Sequence, residues 1–232
     1  MIIVGKVAIV TGASSGIGKT IAIALAKANF SVGLVARRND KLTEIEKQIN
    51  ETTDGRALAI QTDVSEREEV ESMVRQVEET FGPIDVYVNN AGVMLDAKIT
   101  NKQVHNWEKM IDVNIKGVLY GLHEVIESMV DRQTGHIFNI ASVSGFEVTK
   151  NSTVYSATKF AVRAISIGLE KELARTGVRV TNISPGMVDT DLVTRGNVDR
   201  KILSPKDIAE AVLYAWNQPK HVNVNELTIR PV

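Results

Sequence analysis

Two side chains of complementary chemistry, the phenol of Tyr155 and the ammonium of Lys159, stand four positions apart in a stretch that continues with helical spacing through Phe160, Ala161, Ile165 and Leu169. Residues at i and i+4 of a helix project from one face as neighbours. A free tyrosine ionises at about pH 10 and exchanges protons poorly near neutrality, whereas a cation beside it favours the phenolate and lowers that value. Tyr155 is therefore a candidate general acid/base. Ser142 follows the run His136-Ile137-Phe138-Asn139-Ile140-Ala141, which reads as a buried strand, so its hydroxyl falls at a strand's carboxyl end. There it could hydrogen-bond the substrate oxygen that Tyr155 protonates. Tyr-x-x-x-Lys arises readily by chance in a chain with four tyrosines, so the reading depends on what surrounds it.

The elements that must position these groups alternate between strand and helix. Lys6–Thr11 is a β-rich run that stops at Gly12-Ala13-Ser14-Ser15-Gly16-Ile17-Gly18, after which Ile17, Ile21, Ala24, Leu25 and Ala28 recur at helical spacing. Further strands are expected at Ser31–Ala36, Arg56–Ile60, Ile84–Val88, His136–Ala141, Val178–Ile183 and Glu226–Ile229. Leu42, Ile45 and Ile49 mark one intervening helix. Val70, Met73, Val74, Val77 and Phe81 mark another, opened by the capping-box pattern Ser65-Glu66-Arg67-Glu68. A long helical region covers about Val104 to Met129, and Ser204-Pro205-Lys206-Asp207 caps a helix through Trp216. Such alternation predicts an α/β fold with a parallel sheet and helices on both faces. Ligands of such sheets bind beyond the strands' carboxyl ends, near the switch point in strand order. Gly12, Asn89-Asn90, Ser142 and Pro185 all fall at such ends, so four separate stretches should converge on one crevice.

Gly12, Gly16 and Gly18 form G-x-x-x-G-x-G directly after the first strand and at the opening of a helix. A turn without side chains lets backbone N–H groups and the helix N-terminus approach a pyrophosphate. An NAD site usually carries an acidic residue at the end of the second strand to hold the ribose 2′-hydroxyl. Here the strand runs into Arg37 and Arg38, whose charge and bidentate geometry suit a 2′-phosphate, so NADP(H) is expected in preference to NAD(H). Asp63-Val64 is placed to contact the adenine, although Asp63 could equally cap the helix that follows.

Composition narrows the remaining classes. The chain has 232 residues, 44% of them hydrophobic, enough for one well-buried core, and residues 1–232 are expected to form a single domain. A net charge of -1 gives no general affinity for nucleic acid or an anionic membrane. There is no cysteine for disulfide or thiolate chemistry, which fits a cytoplasmic protein, and no apolar run approaches the roughly 18 residues of a membrane span. His105, His123, His136 and His221 show no metal-ligand spacing, and no metal site is expected.

Together these residues resemble the short-chain dehydrogenase/reductase family. The matches run nearly end to end: Thr11 to Gly18, Asp63-Val64, Asn89-Asn90-Ala91-Gly92, Asn114 within Asp112-Val113-Asn114-Ile115-Lys116-Gly117, Ser142, Tyr155, Lys159 and Pro185-Gly186. The resemblance implies a three-layer Rossmann-type fold with a seven-stranded parallel sheet. It also implies hydride transfer between a nicotinamide and an alcohol/carbonyl pair, and a homodimer or homotetramer packed through the two long helices. Tyr155 would be the acid/base, Lys159 would hold the nicotinamide ribose and lower the phenol's pKa, and Ser142 would orient the substrate oxygen. Asn114 would interrupt its helix and position a water linking Lys159 to solvent, although the sequence alone reads it equally well as a helix-surface amide. Ser14, Ser15 and Ile17 belong to the glycine turn, and Asn90, Ala91 and Gly92 would also contact the cofactor. Val188 and Thr190 would contact the carboxamide, with Ile183 near the ring. Within the family the chain looks most like bacterial NADP-dependent dehydrogenases acting on serine-like 3-hydroxy acids and small carbonyls. Some NADP-preferring relatives carry a basic residue where this chain has Ser15, so the cofactor reading rests on Arg37 and Arg38.

Met187 to Leu203 would form a short flap over a small or elongated substrate. Met94, Phe146, Val148, Met187 and Leu192 are candidate apolar walls. Lys150 or Arg195 could pair with a substrate carboxylate, or Lys150 and the neighbouring Glu147 could simply be solvated. Rival readings are a catalytically weak NADP(H)-sensing protein on the same fold, a 3-ketoacyl thioester reductase, and an epimerase or dehydratase, for which the glycine spacing is wrong.

Overall fold

The computed structural model describes residues 5–190 and 202–232. Seven strands, β1 (Val7–Thr11), β2 (Ser31–Ala36), β3 (Arg56–Gln61), β4 (Val86–Asn89), β5 (Gly135–Ile140), β6 (Val178–Pro185) and β7 (Glu226–Ile229), pair in the order β3-β2-β1-β4-β5-β6-β7. Every pairing is parallel. Strands covered on both faces read as near-continuous apolar runs, as in the fully buried Val-Ala-Ile-Val-Thr of β1. The order reverses at β1, whose Val10 is paired with Leu34 of β2 on one side and Val88 of β4 on the other.

Helices α1 (Gly16–Lys27), α2 (Asn39–Thr52) and α7 (Pro205–Trp216) pack on one face through Ile21, Leu25, Leu42, Ile45, Ile49, Ile208 and Val212. Helices α3 (Arg67–Phe81), α4 (Val104–Ile111), α5 (Gly117–Asp131) and α6 (Thr153–Glu172) complete the set. Of these, α3, α5 and α6 cover the other face through Val70, Met73, Val77, Leu122, Val125, Met129, Val162 and Leu169. The expected three-layer, seven-stranded architecture is therefore the one observed.

Three expectations are corrected. The long helix over 104–129 is two helices joined by a π-helical turn, Asp112–Lys116, in which the backbone takes an extra residue without losing its helical φ and ψ. The capping box at Ser65 does not form, and α3 starts at Arg67. Ser65 instead donates its backbone N–H and its hydroxyl to the Asp63 carboxylate (3.1 and 2.7 Å), while Glu69 accepts the Asp63 N–H at 2.7 Å. Finally, β6 runs on through Pro185, so this proline belongs to the strand. The cap on α7 matches the sequence: Ser204 accepts from Lys206 N–H, and Asp207 accepts the Ser204 N–H at 2.7 Å.

Candidate active site

The carboxyl ends of β1 and β4 diverge around a cleft of about 570 Å³. At its floor Thr11 ties the two strands. Its hydroxyl accepts the N–H groups of Asn90 and Ala91, both at 3.0 Å, and donates to Val88 O, while the Asn90 amide donates to Thr11 O at 2.8 Å. Gly12 and Gly16 have positive φ, +67° and +53°, which a residue with a Cβ adopts only with strain. A Cβ on Gly18 would lie 2.4 Å from both Gly12 O and the Asn90 amide. This turn thus needs glycine both for its conformation and for the close approach of α1. Beyond it, Arg38 donates to the hydroxyls of Ser14 (3.0 Å) and Ser15 (2.7 Å), fixing a guanidinium beside the glycine turn. Arg37 faces the Asp63 carboxylate at 3.9 Å.

All nineteen residues expected to touch the cofactor, from Gly12 to Thr190, line this cleft. Asp63 does so while also closing the turn before α3. Thr190 lies across the glycine turn, where a Gly16 Cβ would meet its methyl at 3.1 Å. The two described ends of the flap are pinned together, Asp189 N–H donating to Leu203 O and Leu203 N–H to Met187 O. Leu192 and Arg195 fall outside the described residues.

At the other end of the cleft α6 brings up Tyr155 and Lys159, and the β5 terminus brings up Ser142. Lys159 is buried, its Nζ donating to Ile140 O at 2.9 Å and lying 5.9 Å from the centre of the Tyr155 ring. Burial lowers the Lys159 ammonium to about 8. Burial also pushes the Tyr155 phenol above its ordinary value, and the Ser142 hydroxyl acts less strongly the other way. This reverses the direction expected from the Tyr–Lys spacing: removal of water from the phenol dominates, and the Ser142 hydroxyl offsets it only in part. The phenol is consequently held in its proton-bearing form.

Asn114 is only 1% exposed, which excludes the surface-amide reading. Its side-chain carbonyl accepts Val93 N–H (2.8 Å), and its amide donates to Val93 O and to the Thr158 hydroxyl, both at 3.0 Å. It does not line the cleft. It ties the π-helical turn to the loop after β4 and to α6 between Tyr155 and Lys159. Phe146 does not line the cleft either; its ring lies beneath the Arg163 guanidinium, 4.1 Å away, while Val148 is exposed and Met94 and Met187 do line it.

Sequence reasoning missed several contributors. A buried ladder runs from Asn89 to Asn139 (2.9 Å), from Asn139 to Ser166 (2.9 Å) and from Ser166 to Val162 O (2.8 Å), tying α6 to β5 and β4. Polar residues inside apolar strands were its only signal. Thr62, next to the Asp63-Val64 pair, lines the cleft, and its buried hydroxyl has no partner among the described residues.

A family profile described as short chain dehydrogenase matches residues 6–201. The chain belongs to this family. The short-chain dehydrogenase is 53% identical over 232 residues to an uncharacterised oxidoreductase of Staphylococcus aureus strain MRSA252, covering 100% of this chain and 99% of the relative. Among solved structures it is similar to an alcohol dehydrogenase from the archaeon Thermococcus sibiricus complexed with 5-hydroxy-NADP, with a TM-score of 0.91 and 34% identity over 98% of this chain and 97% of that one. It is also similar to the closed form of a serine dehydrogenase complexed with NADP+, with a TM-score of 0.89 and 34% identity over 97% and 94%. This short-chain dehydrogenase is thus an oxidoreductase by family.

Proposed function

We propose that this short-chain dehydrogenase transfers a hydride between NADP(H), in preference to NAD(H), and a small alcohol or carbonyl compound, with 3-hydroxy acids among its substrates. The observation that carries the reading is a single cleft with Arg38 fastened to Ser14 and Ser15 at one end and Ser142, Tyr155 and Lys159 at the other. The residues present fit a dinucleotide. The glycine turn opens into the cleft at the α1 N-terminus, where backbone N–H groups would meet a pyrophosphate, and the unpartnered Thr62 hydroxyl offers a polar contact beyond it. Arg38 would hold a 2′-phosphate, with Arg37 beside it. When bound, the nicotinamide supplies the hydride donor or acceptor.

The remaining chemistry belongs to the chain. Ser142 orients the substrate oxygen. Tyr155 gives its phenolic proton to that oxygen in carbonyl reduction, and in alcohol oxidation its phenolate takes the proton from the hydroxyl. Lys159, anchored on Ile140 O, sets a cation beside the phenol and would hold the nicotinamide ribose. Asn114 holds the loop of Gly92 and Val93 against α6 and so positions Lys159.

Spectrophotometric turnover of purified protein with NADP(H) and NAD(H) tests the reading across 3-hydroxy acids, diketones, aromatic ketones and 3-ketoacyl thioesters. Tyr155→Phe should lower kcat by about a thousandfold or more while the cofactor dissociation constant stays within about threefold. Undiminished turnover would remove Tyr155 from this role. Cofactor binding with no turnover of any substrate would favour the sensing protein instead.

A further inference from the structure

Ser142 stands at the head of a short turn whose own bonds make it one stiff piece. Gly145 N–H donates to Ser142 O at 2.8 Å, and Phe146 N–H to Val143 O at 3.0 Å. Ser144 N–H donates to Ser142 Oγ at 3.1 Å, which occupies a lone pair of that oxygen and leaves its hydrogen for the substrate. The turn is pressed against the helix that carries Tyr155, since a Cβ on Gly145 would lie 2.9 Å from Lys159 O. That contact stops the turn from moving inward but not from swinging away.

Two ties oppose that outward movement, and their settings differ. Arg163 follows Tyr155 and Lys159 at the same spacing of four, so the three side chains ascend one stripe of α6. Its guanidinium lies 4.1 Å from the centre of the Phe146 ring, within the range of a cation–π contact. The guanidinium is itself fixed by two bonds to the Glu226 carboxylate on β7, 2.8 and 3.1 Å, and Asn182 on β6 donates to the same acid at 2.9 Å. Phe146 is thus attached to the sheet through a partly buried pair, both of whose side chains are 30% exposed. Glu147 accepts instead from Arg230 beyond β7, in a pair 52% and 54% exposed that contributes little to holding the turn.

We propose that Arg163 is a positioning residue for the reaction: through the Phe146 ring it holds the Ser142 turn against α6 and so fixes the Ser142 hydroxyl relative to the Tyr155 phenol. Neither Arg163 nor Phe146 lines the cleft, and the effect travels through the turn. A misplacement of about 1 Å caused far from the chemistry can cost on the order of a hundredfold in rate. The inference rests on the oxidoreductase reading above and goes beyond it, giving a role to a side chain outside the site.

The test is NADP+-linked oxidation of 3-hydroxypropanoate followed across pH. Alcohol oxidation needs the Tyr155 phenolate, so kcat/KM rises with pH through that group's pKa. The Ser142 hydroxyl lowers this pKa, with Lys159 the cation beside the ring, so a displaced Ser142 moves the rise to higher pH. Arg163→Gln should lower kcat about tenfold or more, move the rise up by about half a pH unit or more, and change KM for NADP+ less than about twofold. Phe146→Leu, which leaves the Arg163–Glu226 pair in place, should act in the same direction, and Arg163→Lys should recover part of the loss. A drop in stability of Arg163→Gln with kcat and the pH profile unchanged would make the pair a structural tie only and overturn the proposal, as would an equal loss of turnover in Arg230→Gln. Should the wild type act on none of the compounds surveyed above, the oxidoreductase reading fails separately, and the phenolate absorbance that disappears in Tyr155→Phe is titrated on the protein alone. A titration moved to higher pH in Arg163→Gln supports the positioning role, and one that is unmoved overturns it.

Discussion

Arg38 is held by two serine hydroxyls before any ligand arrives, so its guanidinium is aligned in advance. Replacing it with alanine should raise KM for NADPH by about ten- to a hundredfold and change KM for NADH less than about threefold. Steady-state kinetics with both cofactors would show this, and equal losses would refute the cofactor preference. Lys159 lends itself to a measurement on the protein alone. Its folded-state value of about 8 lies below the 10.5 of an ordinary lysine, so between those pH values the unfolded chain binds a proton that the folded chain does not. Stability must then rise with pH across that window, by an amount on the order of 3 kcal/mol for this group, and the cost of the buried charge is fully present below pH 8. Urea unfolding of the cofactor-free protein at about pH 7.5 and pH 10 should show the rise in wild type and a smaller one in Lys159→Met. Identical pH dependence in the two proteins would show that the lysine is not desolvated as described.

At the level of elements, the π-helical turn is the departure with most bearing on the site. Asn114 sits inside it with all three side-chain bonds made to the loop after β4 and to α6. Asn114→Ala leaves Val93 N–H without its partner, and should cost about 2–3 kcal/mol in chemical denaturation. It should also lower kcat more than it raises the cofactor KM, because the tie acts on α6 and not on the glycine turn. The strands could be read in the sequence because a parallel sheet covered on both faces writes itself as short β-branched runs between turns. The glycine turn, Ser142, Tyr155 and Lys159 were legible for a similar reason, each sitting at the end of such a run or on one helix face. The π-helical turn was not, since apolar periodicity continues across it through Val113 and Val118. Nor could the aim of Phe146 be read, because it is set by Arg163, a residue well inside the next helix that is itself oriented by Glu226 on β7. The Arg230–Glu147 pair joins positions 83 residues apart and leaves no local pattern at either one.

For the molecule as a whole, Ile111, Leu119, Phe160 and Ile167 leave large apolar side chains at least 40% exposed on α4, α5 and α6, on the face away from the sheet. We propose that assembly through the long helices covers this face. Light scattering should find a homodimer or homotetramer, and Leu119→Asp with Phe160→Asp should shift it to the monomer; a wild-type monomer would refute it. No helix among the described residues is long and apolar enough to cross a membrane. The reversal of strand order at β1 also governs how the protein comes into being. Val7 must find Asp85, 78 residues away, and Asn90 must reach back 79 residues to Thr11, before the cleft has a floor. The unit of β1, α1 and β2 can form from neighbouring sequence, but it contains only half of the binding site. Contacts so distant along the chain are among the slowest to form. The ability to hold a nucleotide is therefore acquired late in folding, and a nascent chain that has not yet released β4 carries the full glycine turn with nothing opposite it.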